Sequence, residues 1–432
     1  MKLTRHHYID ASFILVLTGI SFVFLVPIFD VQIDDLFNDD IHLIMGLQNG
    51  FGEQGFLNWA FYADHFKLRP VTKTFYLINY LIFGDFIQGY LIVNWLLILG
   101  LCIYLFIMIR QVGPNSLAFI AALAIVTSRF MIYPAWNITG SFEILASLFF
   151  LRSLQIILSG EKKSVELAIF ATLMIFTAER TLPVVASLPF FYLYLRQQKI
   201  IPSPAFVART AGMGVLILIS YLAMRAALEL PMIVGTNTDP VMTTFEIGRF
   251  LNHMRLGLLE TFGTSLGPVY LTGFQLATWV PFEQQSQGDQ LIYAASLTLV
   301  ALGGLVVLVR TLIAPRPSLV FIGLILATVA AASVTFRVEL RWLLPGVLIL
   351  ALLAGSSNYM SRTEGYGSSR VDRSGIFGTK PFDYVANTIA YGYFTWFVLV
   401  NCWLSSNTRQ GYYFSNSFHE NTILFDIIER HF

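Results

Sequence analysis

Residues 86–109 read FIQGYLIVNWLLILGLCIYLFIMI, a run that contains no charged side chain. An α-helix needs about 20 predominantly apolar residues to cross the roughly 30 Å hydrocarbon core of a bilayer. Comparable apolar runs occupy residues 11–29, 115–133, 140–158, 211–228, 291–309, 318–335, 343–353 (extended by 338–342) and 384–404. The pattern predicts an all-α, polytopic membrane protein.

The composition of the whole chain agrees with this fold class. Of its 432 residues 56% are hydrophobic and only 12% are charged, against about 25% charged in a typical soluble domain. This excludes a cytosolic enzyme, a disordered chain and a disulfide scaffold. The net charge of +1 provides no basic excess for nucleic acid. Cys102 and Cys402 lie in apolar runs and are expected to be packing residues.

The segment 166–195 permits two interpretations, one steeply tilted helix or two short helices that meet at Glu179 and Arg180. Basic residues stand at both of its ends, namely Lys162, Lys163, Arg196 and Lys199. Short positively charged loops remain on the cytoplasmic side of a membrane. We therefore predict a helical hairpin, and about 11 transmembrane helices in a single transmembrane domain, 1–432.

The distribution of charge also predicts the orientation. Basic residues mark the cytoplasmic side, which places the N-terminus and the loop 356–383 inside. The loops 30–85 and 231–289 and the tail 405–432 then lie outside and hold most of the acidic residues. We expect an integral protein of a bacterial inner or cell membrane, with its functional site on the outer face.

The first outer loop begins with five carboxylates within eleven residues: Asp30, Asp34, Asp35, Asp39 and Asp40. Residues 41–50 favour a short helix, which would place the last two at its N-terminus, where the helix dipole stabilises a charged carboxylate. A carboxylate kept ionised at the membrane surface is suited to act as a general base. The alternative interpretation is a solvated acidic loop without a chemical role.

The later part of this loop combines cations and aromatic residues around Pro70, which is typical of a first helical position. The helix 71–83 is apolar over much of its surface and is expected to lie in the outer interface. Lys67, Arg69 and Lys73 could bind a phosphate head group there. Simple anchoring of a basic, aromatic helix at the interface is the alternative.

Several short motifs occur in a characteristic order on the outer side. They are the acidic pairs, Arg69-Pro70-Val-Thr, Asn79-Tyr80, Gly84, the segment 89–94, the segment 177–183 and the segment 337–345. Together they resemble the GT-C superfamily of membrane glycosyltransferases, and within it the protein O-mannosyltransferase-like and tetratricopeptide-linked mannosyltransferase branch. The chain departs from that pattern because Ala178 replaces a lysine, the acidic pair is duplicated and no large soluble domain follows.

The resemblance implies a GT-C-like fold with interfacial helices in the first outer loop, and transfer of a sugar from a polyprenyl-phosphate-linked donor. The acceptor would be a hydroxyl group of an envelope glycan, a glycolipid or an exported protein. It implies Asp39 as the general base and Asp40 as its neighbour, with Asp34 and Asp35 as the reserve pair. The partners expected are this donor, the acceptor and membrane lipids, and no nucleic acid.

The leaving lipid phosphate needs fixed positive charge, and arginine stays charged near lipid and binds phosphate through two donors. The expected phosphate-binding residues are Arg69, Arg180, Arg341, Arg337 and Lys67. Supporting residues are His65, Asp64, Glu179 and Glu339. An alternative for Glu179 and Arg180 is an ion pair with each other that only closes the turn. No metal or other cofactor is expected, and a divalent cation could be held only through the acidic loop.

The second outer loop contains an amphipathic segment, 245–260, with Arg249, His253 and Glu260 near one helical face. We expect an interfacial lid or support helix. A transporter or flippase for a lipid-linked or other anionic substrate is the alternative function. Transporters place ionisable residues at mid-membrane, and within the spans of this chain only Arg152 and Arg225 look deep.

Overall fold

The computed structural model describes residues 5–25, 43–44, 46–47, 55, 59–61, 68–111, 113–131, 134–135, 137–159, 163–199, 203–230, 247–263, 287–313, 315–334, 340–355 and 380–408. All regular secondary structure within these ranges is helical. The helices are α1 (Arg5–Leu25), α2 (Pro70–Phe83), α3 (Ile87–Arg110), α4 (Asn115–Val126), α5 (Ser141–Ser159), α6 (Ser164–Thr177), α7 (Leu182–Lys199), α8 (Pro204–Ala227), α9 (Ile247–Gly263), α10 (Gln287–Ile313), α11 (Pro315–Ser333), α12 (Leu344–Gly355) and α13 (Lys380–Thr408). Short 3-10 turns lie at Arg129–Met131, Ile138–Gly140, Glu179–Thr181 and Leu340–Leu343.

Four helical segments in the described ranges are long and apolar enough to cross a membrane: Ile87–Arg110, Ile138–Leu158, Pro204–Ala227 and Ala294–Ile313. Five further apolar helices are shorter: Asp10–Phe22, Asn115–Val126, Ser164–Thr177, Ser318–Ser333 and Leu344–Gly355. The all-helical fold and its membrane character are thus present. The number of about 11 spans stays a prediction.

Local sequence explains where α2 begins and ends. Pro70 is its first residue, and the fixed φ of proline suits that position, where no intrahelical N–H bond is lost. The helix ends at Gly84, whose φ of 54° favours glycine and whose N–H donates to Tyr80 O at 2.7 Å. Tyr90 of α3 then donates its hydroxyl to Gly84 O at 2.7 Å, which fixes the corner between α2 and α3.

The helices form a bundle with two chemically different ends. At one end Arg110 of α3 pairs with Asp10 of α1 at 2.6 Å, and Asn115 at the start of α4 donates to the same carboxylate at 3.1 Å. We call this the Asp10 end. The opposite end, where α2 and α5 begin and the turns 179–181 and 340–343 lie, is called the Arg69 end.

The hairpin predicted for residues 166–195 is confirmed. The helix α6 stops at Thr177, a 3-10 turn follows at Glu179–Thr181, and α7 starts at Leu182. The two helices run antiparallel, because the N–H of Lys163 at the start of α6 donates to the Tyr192 hydroxyl, late in α7, at 3.1 Å. The turn with Glu179 and Arg180 therefore lies at the Arg69 end.

The segment expected to form an interfacial lid or support helix contains α9, which packs into the bundle from the Arg69 end. A Cβ on Gly257 would lie 2.7 Å from Val329 of α11, which shows close packing there. Phe262 O of α9 accepts a hydrogen bond of 2.9 Å from the hydroxyl of Tyr393, which lies near the middle of the 29-residue helix α13. The place of α9 relative to the membrane surface stays a prediction.

The buried side of α9 combines polar and apolar residues. His253 and Glu260 are buried together with Leu256, whereas Ile247 and Leu251 are more than half exposed. Polar side chains are tolerated between helices in a membrane bundle, and an apolar side chain is stable against lipid.

Candidate functional site: an arginine cluster at the Arg69 end

Two hydrogen bonds fix α2 at the Arg69 end. The Thr72 hydroxyl donates to Thr177 O, at the end of α6, at 2.7 Å. The Tyr76 hydroxyl donates to Thr139 O, in the turn before α5, at 2.7 Å. Arg69, directly before α2, is thereby held beside the N-terminus of α5 and the turn between α6 and α7.

Two arginines that are far apart in sequence meet at one aromatic ring. The guanidinium carbon of Arg69 lies 4.8 Å from the ring centroid of Phe142, and that of Arg180 lies 5.4 Å from the same centroid. Arg180 also lies 4.8 Å from the ring centroid of Trp342 in the turn 340–343. Aromatic faces stabilise cations but do not neutralise them, so like charges are concentrated here.

Each of the two glutamates near this ring is paired with an arginine. Glu143, in the first turn of α5, forms an ion pair with Arg180. Glu179 binds Arg225 of α8 at 2.7 Å, and the same oxygen accepts the N–H of Leu68 at 2.6 Å. The alternative in which Glu179 and Arg180 pair only with each other is therefore wrong.

Burial divides this cluster into an inner and an outer part. Arg225, Glu179 and Glu143 are almost fully buried, whereas Arg69 and Arg180 keep some exposure. We use the name arginine cluster for Arg69, Arg180, Arg225, Glu143 and Glu179 together with the rings of Phe142 and Trp342. Arginine binds phosphate through two donors, so the meeting of Arg69 and Arg180 at one ring favours binding of an anion there.

Of the predicted site residues, Arg69, Arg180 and Glu179 come together. For Arg341 the structure gives only its place in the turn 340–343, next to Trp342. The remaining predicted residues lie outside the described residues: Asp34, Asp35, Asp39, Asp40, Asp64, His65, Lys67, Arg337 and Glu339. Their roles stay predictions.

Four members of the arginine cluster were not found by sequence reasoning: Phe142, Glu143, Arg225 and Trp342. A usable signal existed for two of them. Glu143 is the only acidic residue in the apolar run 140–158, and Arg225 is the only charged residue in the run 211–228. An ionisable residue within a membrane segment is costly and indicates function by default. Phe142 and Trp342 could not be identified in this way, because aromatic residues are frequent throughout the chain.

The structure also gives the surroundings of the two arginines expected to lie deep. About a third of the Arg152 side chain is exposed, and it pairs with Glu166, which is exposed to a similar extent. Arg225 is fully buried and lies in the last turn of α8, at the end of the bundle. The depth of both residues in the membrane stays a prediction.

Within the described ranges, no three His, Cys, Asp or Glu side chains come together in a way that could hold a metal ion. The acidic loop lies outside those ranges, so the prediction about a divalent cation is not tested. Comparisons of the chain with models of protein families, with curated proteins and with solved structures gave no match.

Proposed function

We propose that the protein is a membrane glycosyltransferase that moves a sugar from a polyprenyl-phosphate-linked donor to an acceptor hydroxyl on the outer face of a bacterial membrane. The observation that carries this proposal is the convergence of Arg69 and Arg180 on the ring of Phe142. Both residues keep some exposure at one end of an apolar helical bundle. A lipid phosphate carries its charge at the surface of the bilayer, while its hydrocarbon chain lies inside the bilayer.

In the proposed reaction the acceptor oxygen attacks the anomeric carbon as the bond from that carbon to the phosphate oxygen breaks. The phosphate leaves with the bonding electrons, and its growing charge is stabilised by Arg69 and Arg180. A carboxylate takes the hydroxyl proton. Glu143 and Glu179 are each bound to an arginine, so the base is assigned to Asp39, with Asp40 beside it and Asp34 and Asp35 in reserve.

The experiment uses the full chain in nanodiscs and a panel of short-chain polyprenyl phosphates that carry a pentose or a hexose. The released polyprenyl phosphate is measured by mass spectrometry. A hydrogen bond to a charged group contributes about 1.5–3 kcal/mol, so Arg69→Gln and Arg180→Gln should each lower the release roughly 10- to 150-fold. Asp39→Asn should abolish it without changing the unfolding temperature.

Arg152→Gln is the matched control, because it removes a partly exposed, glutamate-paired arginine from α5, away from the arginine cluster. It should leave the release unchanged. Full release by both Arg69→Gln and Arg180→Gln would overturn the donor site. Full release by both Asp39→Asn and Asp34→Asn would overturn the assignment of the base.

A transporter or flippase for a lipid-linked or other anionic substrate is the alternative to the transferase. Flux of a polyprenyl-phosphate sugar across proteoliposome membranes, without release of the sugar, would favour this alternative over the transferase.

A further inference from the structure

We infer that Arg225 is a positioning residue for the phosphate site: it holds Glu179, and Glu179 holds the backbone from which Arg69 extends. This inference rests on the proposed function, because Arg69 is taken to bind the phosphate of the donor. Arg225 itself is fully buried and is assigned no contact with the donor.

The helix α8 packs at the edge of the bundle. Only three of its residues are buried, Thr210, Tyr221 and Arg225, and its contacts are with α6 and α7. Placing an arginine in the fully buried position near the end of such a helix carries a large desolvation penalty. A leucine would pack there without that penalty, so the charge requires a specific partner.

That partner connects two distant segments of the chain. Arg225 donates to Glu179 Oε1 at 2.7 Å, and the same oxygen accepts the N–H of Leu68 at 2.6 Å. Arg225 also donates to the Tyr221 hydroxyl at 3.3 Å, which orients its guanidinium group. Since Leu68 is fully buried and directly precedes Arg69, this carboxylate oxygen fixes the backbone from which the Arg69 side chain leaves.

The consequence of losing Arg225 follows from these contacts. A buried carboxylate that has lost its cation carries an uncompensated desolvation cost. The Glu179 side chain is then no longer held in the position at which its Oε1 accepts the N–H of Leu68. Arg69 then loses its fixed place beside Phe142, and the affinity for phosphate falls although no phosphate-binding side chain has been removed.

The test measures binding of farnesyl phosphate, with farnesol as the uncharged control ligand, to the full chain in nanodiscs by native mass spectrometry. The main variant is the double substitution Arg225→Met with Glu179→Met. Replacing a buried ion pair by apolar side chains of similar volume is often neutral for stability, so this variant should fold. It nevertheless removes the acceptor for the N–H of Leu68.

We expect the double variant to bind farnesyl phosphate about tenfold more weakly than the wild type, with farnesol binding unchanged. Arg225→Lys keeps the cation next to Glu179 and should bind within about threefold of the wild type. The control Arg310→Met removes another almost fully buried arginine, whose partners Ala354 O and Asn387 Oδ1 lie at the Asp10 end. It should lower the unfolding temperature without weakening phosphate binding.

Two results separate failure of this inference from failure of the proposed function. If Arg69→Met weakens binding of farnesyl phosphate but the folded double variant binds like the wild type, Arg225 has no positioning role. If Arg69→Met also binds like the wild type, the phosphate site itself is absent, and the inference fails with it. An equal loss of farnesol and farnesyl phosphate binding in the double variant would also overturn the inference, because a general loss of structure would explain it.

Discussion

The two ends of the bundle use arginine in different ways. At the Asp10 end each arginine is fixed by its own polar partners: Arg110 pairs with Asp10, Arg152 pairs with Glu166, and Arg310 donates to Ala354 O and Asn387 Oδ1. At the Arg69 end Arg69 and Arg180, which are far apart in sequence, lie beside one phenylalanine ring. Separate arginines with separate partners join helices. Two guanidinium groups at one aromatic ring concentrate positive charge in one place.

The largest effect expected from this comparison is that of removing both partly exposed arginines of the cluster. Arg69→Gln combined with Arg180→Gln should lower the release of polyprenyl phosphate about 100-fold or more, because two charge-assisted contacts of about 1.5–3 kcal/mol each are lost. The matched double variant Arg110→Gln with Arg152→Gln should retain release within about threefold, since both arginines pair with carboxylates outside the arginine cluster and distant sites act independently. An equal loss of polyprenyl phosphate release in both double variants would mean that the two ends of the bundle do not differ in phosphate binding.

A smaller effect is expected from the aromatic surroundings of Arg180. Trp342→Leu removes the ring 4.8 Å from its guanidinium carbon. A cation–π contact contributes about 0.5–2 kcal/mol, so the Kd for farnesyl phosphate should rise roughly 2- to 30-fold. Trp396→Leu, in α13, is the control: this residue donates to Ala295 O at 3.2 Å, far from the cluster in sequence, and its loss should leave the Kd unchanged. A larger rise for Trp396→Leu than for Trp342→Leu would contradict the account.

The buried arginine of the Asp10 end should matter for stability alone. Arg310 donates to Ala354 O at 2.8 Å and to Asn387 Oδ1 at 2.9 Å, and so connects α10 with α12 and α13. Arg310→Met leaves a buried carbonyl without this donor and should cost about 1–3 kcal/mol of the free energy of unfolding. Denaturant unfolding in detergent measures the cost. A loss of phosphate binding at unchanged stability would contradict this prediction, because Arg310 would then act in ligand binding and not in stability.

The smallest effect is expected at the contact that fixes α2. Thr72→Val removes the hydrogen bond from the Thr72 hydroxyl to Thr177 O while preserving the shape of the side chain. The expected cost is about 0.5–1.5 kcal/mol of the free energy of unfolding, measured in the same way. Because the other contacts to α2 remain, the Kd for farnesyl phosphate should change less than about twofold. A tenfold change would mean that this bond, rather than Glu179, positions Arg69.

The sequence predicted those features of the fold that depend on neighbouring residues. The hairpin at Glu179 and Arg180 was predicted from basic residues at both ends of an apolar segment, and α2 begins at Pro70 as expected. Each is a signal carried along the chain, which a single sequence can supply. Which residues of α9 are buried could not be predicted, because His253 and Leu256 are both buried and the choice depends on the helices that pack against them.

The pairing within the arginine cluster could not be predicted. Arg180 pairs with Glu143 rather than with its neighbour Glu179, and Glu179 pairs with Arg225. The choice depends on how α5, α6 and α8 pack, and every candidate partner has the same formal charge. Sequence reasoning identified three of the participating residues by chemical type but gave no means of deciding which carboxylate meets which guanidinium group.

A cryo-EM map of the protein with a bound polyprenyl phosphate tests the central claim most directly. The account predicts the phosphate at the Arg69 end, with its oxygens about 2.8 Å from guanidinium nitrogens of Arg69 and Arg180. It also predicts that Arg225 remains bound to Glu179 and does not touch the ligand. A phosphate bound beside Arg110 and Arg152, or beside Phe262 and Tyr393 in the middle of the bundle, would contradict this prediction.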